Sequence, residues 1–125
     1  MFLNKAILSG NAAADPEVKE INGKKAASFR IGITEKYKDT SNQMQEKTEW
    51  INIIAWGKTA EVAEKYVSKG TTVLVEGKIQ NRNWEDRDGN KRYVTEIVAT
   101  NIQAERRRSP RSNESLQDMP DDLSF

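Results

Sequence analysis

The alternation of apolar and polar residues along the chain predicts a protein built of β-strands. Phe29, Ile31 and Ile33 alternate with polar or small residues, which is the two-residue period of a half-buried strand. Four further strands are predicted over residues 6–11, 48–56, 72–82 and 92–105. Turns are expected at residues 15–16, 22–23 and 88–90. The polar stretch 36–47 is expected to form an exposed loop.

One short helix is predicted between the third and fourth strands, over residues 59–69. Its apolar stripe consists of Val62, Ala63, Tyr66 and Val67. Thr59 is expected to cap its N-terminus and Gly70 to end it. Three strands, one helix and two strands is the order of an OB-fold, a small barrel that binds oligonucleotides or oligosaccharides. The predicted fold class is therefore all-β, a five-stranded OB-fold Greek-key barrel with one short helix between strands 3 and 4.

The composition excludes several classes of chemistry. At 125 residues the chain suits one domain. It has no cysteine and no histidine, which removes disulfides, thiolate or imidazole metal sites and the Ser-His and Cys-His nucleophile pairs. No apolar run approaches the roughly 20 residues that span a bilayer, and the N-terminus is too short and polar for a secretory signal. We expect a cytoplasmic binding protein without catalytic residues, metal, cofactor or small-molecule substrate, rather than an enzyme.

The small net charge of +1 conceals two regions of opposite sign. Residues 1–108 carry 19 lysines and arginines against 15 acids, whereas residues 109–125 carry one arginine against four acids. A basic body suggests a polyanionic partner, and the acidic end suggests a separate role. Residues 106–113 contain no apolar side chain. We therefore predict a folded domain over residues 1–105, a disordered linker over 106–117 and an acidic tip over 118–125.

Four large aromatic residues lie in polar or basic surroundings. Trp84 is the only apolar residue between Gln80 and Arg92. Trp50 and Trp56 share one side of the third strand, and the aliphatic residues between them face the other side. The fourth is Tyr37. Any one of these rings could pack in a core, on a neighbouring strand or against a partner subunit, but together they favour exposure for binding.

Basic residues accompany these rings. The segments that carry or adjoin the rings contain Lys36, Lys38, Lys58, Lys78, Arg82, Arg87, Lys91 and Arg92. Single-stranded nucleic acid needs both features, because unpaired bases stack on aromatic rings and phosphates need cations. The competing interpretation is an OB-fold primosome-type or protein-interaction subunit whose rings line a subunit interface. A carboxylate-metal nuclease is a more distant alternative.

Several short runs of residues carry a resemblance to a known family. They are Asn4-Lys5, Gly10-Asn11, residues 15–18, Thr48-Glu49-Trp50, residues 55–63 with Tyr66 and Lys69-Gly70, residues 75–77, and residues 84–86 with Gly89 and Arg92-Tyr93. Over residues 1–104, and again at its end, the chain resembles bacterial single-stranded DNA-binding proteins (SSB). The resemblance implies a homotetramer of OB-folds around which single-stranded DNA wraps. It also implies protection of DNA strands in replication, recombination and repair, in the nucleoid.

The resemblance also assigns candidate site residues. The family's base-stacking positions fall on Tyr37, Trp50, Trp56 and Trp84. Its phosphate contacts fall on Lys5, Lys58, Lys69 and Arg82. Where the family typically has tryptophan and phenylalanine, this chain has Tyr37 and Trp56, so stacking capacity is kept.

The end of the chain resembles the family's partner-docking tip. Its docking residues are Asp118, Asp121, Asp122, Leu123 and Phe125. A terminal phenylalanine can fill an apolar pocket while its carboxylate and the aspartates meet basic side chains on a partner. Ser124 occupies the position where the family usually has proline. We expect this tip to recruit replication and repair proteins.

Overall fold

The structure is a computed structural model that describes residues 1–105. Within this range there are six strands and one helix: β1 (Ala6–Ala12), β2 (Glu17–Ile21), β3 (Lys24–Lys38), β4 (Met44–Trp56), α1 (Lys58–Tyr66), β5 (Thr72–Glu85) and β6 (Lys91–Ala104). No helix in this range is long and apolar enough to cross a membrane. The predicted linker, the acidic tip and the five docking residues lie outside the described residues.

Five of the strands close into a barrel. The sheet runs β1-β5-β6-β4-β3, and β1 also pairs with β3 through Asn11 and Ala12, which joins the two ends. Every barrel pairing is antiparallel except that of β4 with β6. The helix lies between the third and fourth barrel strands. The predicted five-stranded barrel is confirmed.

The sixth strand, β2, was not predicted. It pairs only with β3, along the outer edge of the barrel, from Glu17 opposite Ser28 to Ile21 opposite Lys24. The expected turn at Asn22 and Gly23 joins these two strands, and both residues have positive φ. That conformation is the one a two-residue hairpin requires. Most of β2 is exposed, so its sequence lacks the apolar alternation that marks a buried strand.

The barrel core is formed by the side of each strand that faces inward. Ile53 and Ala55 of β4 are buried, as their alternation predicts. The helix closes one end of the barrel with Ala60 and Ala63, and Val67 just beyond it is also buried. Tyr66, the fourth residue of the predicted apolar stripe, is half exposed, so the stripe is not buried along its whole length. The helix presents small side chains because it lies directly over the barrel end.

The predicted helix ends were wrong. The helix begins at Lys58 after Gly57, and no side chain caps it, so Thr59 belongs to the first turn. Its last residue is Tyr66, and Val67 already has an extended backbone. Gly70 has positive φ in the connection to β5, where its N–H donates to the Ala12 carbonyl. The glycine therefore directs the connection back to β1 instead of ending the helix.

The predicted loop over residues 36–47 is instead the outer half of a long β3–β4 hairpin. Pairing continues to Lys38 opposite Met44. The turn is held by Asp39, whose Oδ1 accepts the N–H groups of Ser41 at 2.8 Å and Gln43 at 2.9 Å. This hairpin projects beyond the barrel with both faces exposed, so its strands have no apolar side from which a two-residue period could be recognised.

A second arm is formed by β5 and β6 and ends at the turn predicted around Gly89. It repeats the geometry of the first, because Asp86 Oδ1 accepts the N–H groups of Asp88 and Asn90, both at 2.9 Å. The hydrogen bonds from Asn90, from the Arg92 guanidinium and from Asp88 hold the pKa of Asp86 below its ordinary value. The charged aspartate is therefore the form that stabilises the turn.

A β-bulge lies within the barrel part of the β5–β6 pairing, because the β6 residues 96–98 that pair with β4 lie between it and the arm. Glu76 pairs with Asn101 but Gly77 pairs with Ala99, which leaves Thr100 as the extra residue of β6. The extra residue shifts the alternation of β6 by one position. The buried residues are therefore Ile97 and Ala99 before the bulge and Ile102 after it. Pairing of β1 with β5 ends at the same place, with Ala6 opposite Gly77. Bulges bend and twist a strand, so this one bends β6 within the barrel wall.

Gly77 is predicted to be required at the bulge. A Cβ at this position would lie 2.1 Å from the backbone oxygen of Val98, which cannot rotate away. Gly77→Ala should therefore lower the free energy of unfolding by about 1–3 kcal/mol, the usual cost of overpacking. Urea denaturation measures the change, with the exposed neighbour Lys78→Ala as a control expected within about 0.5 kcal/mol of the parent. Equal stability of the two variants would contradict the bulge geometry.

Candidate nucleic-acid interface

Strand register brings the three tryptophans onto one outer face of the sheet. Trp50 and Trp56 lie opposite Gly32 and Ala26 of β3. Across the parallel pairing, Asn52 of the same face lies beside Glu96 of β6. Glu96 in turn lies opposite Gln80 of β5, and Trp84 is four residues further along β5 on the same side. The outer face therefore extends from the barrel onto the β5–β6 arm.

The ring of Trp50 fills the space that the missing side chain of Gly32 leaves on β3. A Cβ on Gly32 would lie 2.7 Å from Cζ3 of Trp50, so the ring rests directly against the β3 backbone. The Arg30 guanidinium carbon lies 5.4 Å from the ring centroid, which is cation–π distance. The tryptophan is still 52% exposed. Its ring is thus held on one side and open on the other.

Trp84 is positioned differently, by a chain of polar contacts. It is 44% exposed, and the Arg82 guanidinium carbon lies 5.1 Å from its ring centroid. Arg82 Nε and Nη2 donate to the two carboxylate oxygens of Glu96 at 3.2 and 3.3 Å. The nearly buried Glu96 carboxylate also accepts a hydrogen bond from Gln80 Nε2 at 2.9 Å.

A groove of about 740 Å³ runs over this outer face. Trp56, which is partly buried, lines one part of it. Its polar lining includes Arg30, Asn52, Gln80, Arg82 and Glu96. The groove therefore combines one tryptophan with polar and charged side chains of the same outer face.

Tyr37 lies on the other side of the β3–β4 hairpin. It is eight residues from the buried Phe29 and so has the same orientation as the core-facing residues of β3. It lies opposite Gln45, beyond the barrel, where that side is open to solvent, and it is 47% exposed. The structure therefore brings three of the four predicted rings together and places the fourth on a separate surface.

The predicted phosphate-binding cations have different environments. Lys5, Lys58 and Lys69 are exposed, and within residues 1–105 none has a carboxylate oxygen within 4.0 Å of its ammonium. The backbone N–H of Lys69 donates to Asp15 Oδ1 at 2.9 Å, which ties this loop to the start of β2. Arg82, in contrast, is paired with Glu96, so much of its charge is already balanced.

Three residues that position the rings were missed by the sequence reasoning. The sequence gives a clue to the role of Gly32, since a glycine inside a strand often marks the close approach of another group. The clue is weaker for Arg30 and Glu96, because a charged residue in a strand is normally solvated. Only the register between strands shows that Arg30 covers Trp50 and that Glu96 holds Arg82.

Comparisons with known proteins agree with this geometry. The model of the single-strand binding protein family matches residues 3–105. The chain is 44% identical over 103 residues to single-stranded DNA-binding protein 1 of Chlorobaculum tepidum, an alignment that covers 81% of this chain. The chain spans 64% of the length of that curated relative.

A solved structure, that of a Plasmodium falciparum SSB in complex with ssDNA, has a similar fold. The TM-score is 0.75 at 29% sequence identity, and the match covers 84% of this chain and 96% of the other. With the family match over residues 3–105, these observations establish that the chain belongs to the single-strand binding protein family.

Proposed function

We propose that this chain binds single-stranded DNA without sequence preference and acts as a binding protein rather than an enzyme. The observation that carries the proposal is the placement of Trp50, Trp56 and Trp84 on one outer sheet face beside a groove. Every base has a flat apolar face, so stacking on such rings is tolerant of sequence. The family membership and the DNA-bound structure of a similar protein support the same conclusion.

The rings are spaced so that each serves a different base. Trp50 and Trp56 are six residues apart on β4, which is roughly 20 Å in an extended strand. Trp84 lies on a different element, the β5–β6 arm. We propose that Tyr37 is a fourth stacking position on the far side of the β3–β4 hairpin, reached when the DNA passes around that arm.

Phosphate binding is assigned chiefly to the exposed lysines. Lys5, Lys58 and Lys69 can each neutralise a phosphate and release a counterion, which makes the affinity fall with salt. Arg82 can still approach a phosphate with its exposed edge, because its side chain is 53% accessible. Its pairing with Glu96 makes its contribution smaller than that of a lysine.

Replacing a stacking ring should weaken DNA binding. Trp50→Ala and Trp84→Ala should each reduce the affinity for poly(dT) by about five- to hundredfold, because one stacked base contributes about 1–3 kcal/mol. Titration of oligo(dT), followed by fluorescence or filter binding at a single fixed salt concentration, measures the change.

The matched control for Trp84 is Tyr93→Ala. Tyr93 is 71% exposed and lies opposite Asn83, on the other face of the same arm. It should bind DNA like the parent protein. Unchanged affinity in both tryptophan variants would refute the stacking assignment, and would favour the interpretation that these rings line a protein interface.

We further propose that the chain assembles as a homotetramer. The support is apolar surface on the outer face of β1 and β5, where Ile7 is 59% and Leu74 is 37% exposed. Phe2 and Leu3, just before β1, are almost fully exposed. Contiguous exposed apolar residues mark interaction surfaces. Such a surface is well suited to a second copy of the chain.

The oligomeric state is tested by mass in solution. Native mass measurement should give about four times the 14.2 kDa chain mass without oligo(dT), and the same four chains plus the bound oligonucleotide with it. Ile7→Glu should lower the mass because it places a charge in the apolar contact, whereas Tyr93→Glu on the arm should not. A parent protein that remains a monomer at micromolar concentration would contradict the assembly.

The proposed role of the C-terminus is partner recruitment. We propose that residues 106–117 act as a linker and that Asp118, Asp121, Asp122, Leu123 and Phe125 dock on replication and repair proteins. The support is the acidic composition and the terminal phenylalanine. We propose that the protein acts together with DNA in the cytoplasm, at the nucleoid.

Removing the acidic tip should abolish partner recruitment while leaving DNA binding in place. Deletion of residues 118–125 should leave oligo(dT) affinity within about twofold, whereas retention of replication and repair enzymes in a pull-down should be lost. Phe125→Ala should lose most of the retention as well, because its ring fills the pocket. Equal recovery by full-length and truncated protein would exclude the docking role.

A further inference from the structure

The outer face of the sheet contains a buried carboxylate that the barrel core does not need. Glu96 is 5% exposed, yet it faces the groove with Asn52 and Gln80 rather than the barrel interior. A carboxylate placed out of water is costly unless it is paired and hydrogen-bonded. Replacing buried ion pairs by apolar residues is often neutral or stabilising. Stability alone therefore does not account for a glutamate here.

Hydrogen bonds hold the Glu96 carboxylate in place, and the carboxylate in turn orients the Arg82 guanidinium. Gln80 Nε2 donates to Oε2, and Arg82 donates from Nε to Oε2 and from Nη2 to Oε1. Two parallel bonds between a guanidinium and a carboxylate set the orientation of the guanidinium plane. Arg82 then lies over the Trp84 ring at 5.1 Å from its centroid. The contacts run without a break from Glu96 to the ring.

We propose that Glu96 is a positioning residue that acts through Arg82 to hold the Trp84 ring, so that the arm presents the opposite ring face before DNA arrives. This inference rests on the proposed function, since it assigns a role within the same stacking surface. An ordered ring binds a base without the loss of side-chain freedom that a mobile ring incurs. Glu96 thus acts on DNA binding without touching DNA.

The comparison with Trp50 shows why Trp84 needs this arrangement. Trp50 lies opposite Gly32, two residues before the part of β4 that also pairs with β6, and its ring rests against the β3 backbone. Trp84 is on a two-stranded arm, opposite Arg92, with no sheet neighbour beyond β6. The backbone of β3 holds the first ring. The second lies opposite Arg92, and Glu96, which lies beside Asn52 of β4, holds it through Arg82.

The arrangement also predicts that the planar shape of the Arg82 guanidinium matters more than its charge. Lysine keeps the charge but cannot make the two parallel bonds or lie flat on a ring. Arg82→Lys should therefore make the Trp84 ring as mobile as the loss of Glu96 does. If Arg82 acted only as a phosphate-binding cation, the lysine would replace it.

The first measurement needs no DNA. Trp50→Phe and Trp56→Phe leave Trp84 as the only tryptophan, and its time-resolved fluorescence anisotropy reports ring motion. Glu96→Gln in this background should add a fast nanosecond component, because an amide nitrogen replaces one acceptor oxygen and the two parallel bonds from Arg82 can no longer both form. Arg82→Lys should add the same component. Unchanged anisotropy decay in both variants would overturn the proposal.

The matched control is Glu64→Gln. Glu64 makes a 2.7 Å ion pair with Lys25, so the substitution breaks a carboxylate–cation pair and changes the net charge by the same amount. It should leave the Trp84 anisotropy unchanged. Thermal melting shows whether each variant is folded. If Glu96→Gln does not fold, the half-exposed Arg82→Lys decides the question.

The second measurement is oligo(dT) affinity in the otherwise native chain. Glu96→Gln should weaken binding by about two- to tenfold, the effect of one side chain that must be ordered on binding. Loss of a negative charge alone would strengthen binding, as is expected for Glu64→Gln. Weaker binding therefore supports positioning, and a gain in affinity overturns it.

A double-mutant cycle separates ring positioning from a general structural effect. In a Trp84→Ala background, Glu96→Gln should no longer weaken binding, because the ring it positions is absent. An undiminished effect would overturn the proposal. If the parent protein fails to bind oligo(dT), the proposed function fails, while the DNA-free anisotropy still decides whether Glu96 holds the ring.

Discussion

The pairing of β4 with β3 on one edge and with β6 on the other determines where the other functional groups lie. Because side chains alternate along a strand, Ile53 and Ala55 can fill the core only if Trp50 and Trp56 face outward. Pairing with β3 brings Gly32 under Trp50, and pairing with β6 brings Glu96 beside Asn52. A shift of one residue in this register would bury the rings and expose the core.

Trp50 and Trp84, which share one proposed function in base stacking, are held by two different kinds of contact. Trp50 is held by close packing against Gly32 of β3, with the Arg30 guanidinium at cation–π distance from its ring. Trp84 is held by a guanidinium whose own orientation comes from a buried carboxylate. The second kind of contact suits an arm, because bidentate hydrogen bonds fix an orientation where sheet neighbours are absent. It also reduces the positive charge available from Arg82, which leaves the exposed lysines as the main source of attraction for phosphate.

The two arms share one turn design, which explains how polar segments remain ordered strands. In each, an aspartate accepts the N–H groups two and four residues further along, and a residue with positive φ follows, Asn42 in one arm and Gly89 in the other. The pKa of Asp39 is lowered like that of Asp86, first by its hydrogen bond from the Gln43 N–H. Both turns are therefore stabilised by a charged carboxylate above the ordinary aspartate pKa, and they weaken as pH falls below it.

The sequence by itself determined the local features of this protein. The alternation around Ile31 and along β4, the turn at Asn22-Gly23 and the short helix are encoded within windows of about ten residues, so the barrel class and the outward tryptophans could be predicted. The arm over residues 36–47 could not, because strands exposed on both faces carry no apolar period. Only the tertiary structure decided that Trp84 shares a face with Trp50, that Tyr37 does not, and that Arg82 is paired with Glu96. Those relations depend on the register between strands far apart in sequence, which is set by packing of the whole barrel rather than by any local pattern.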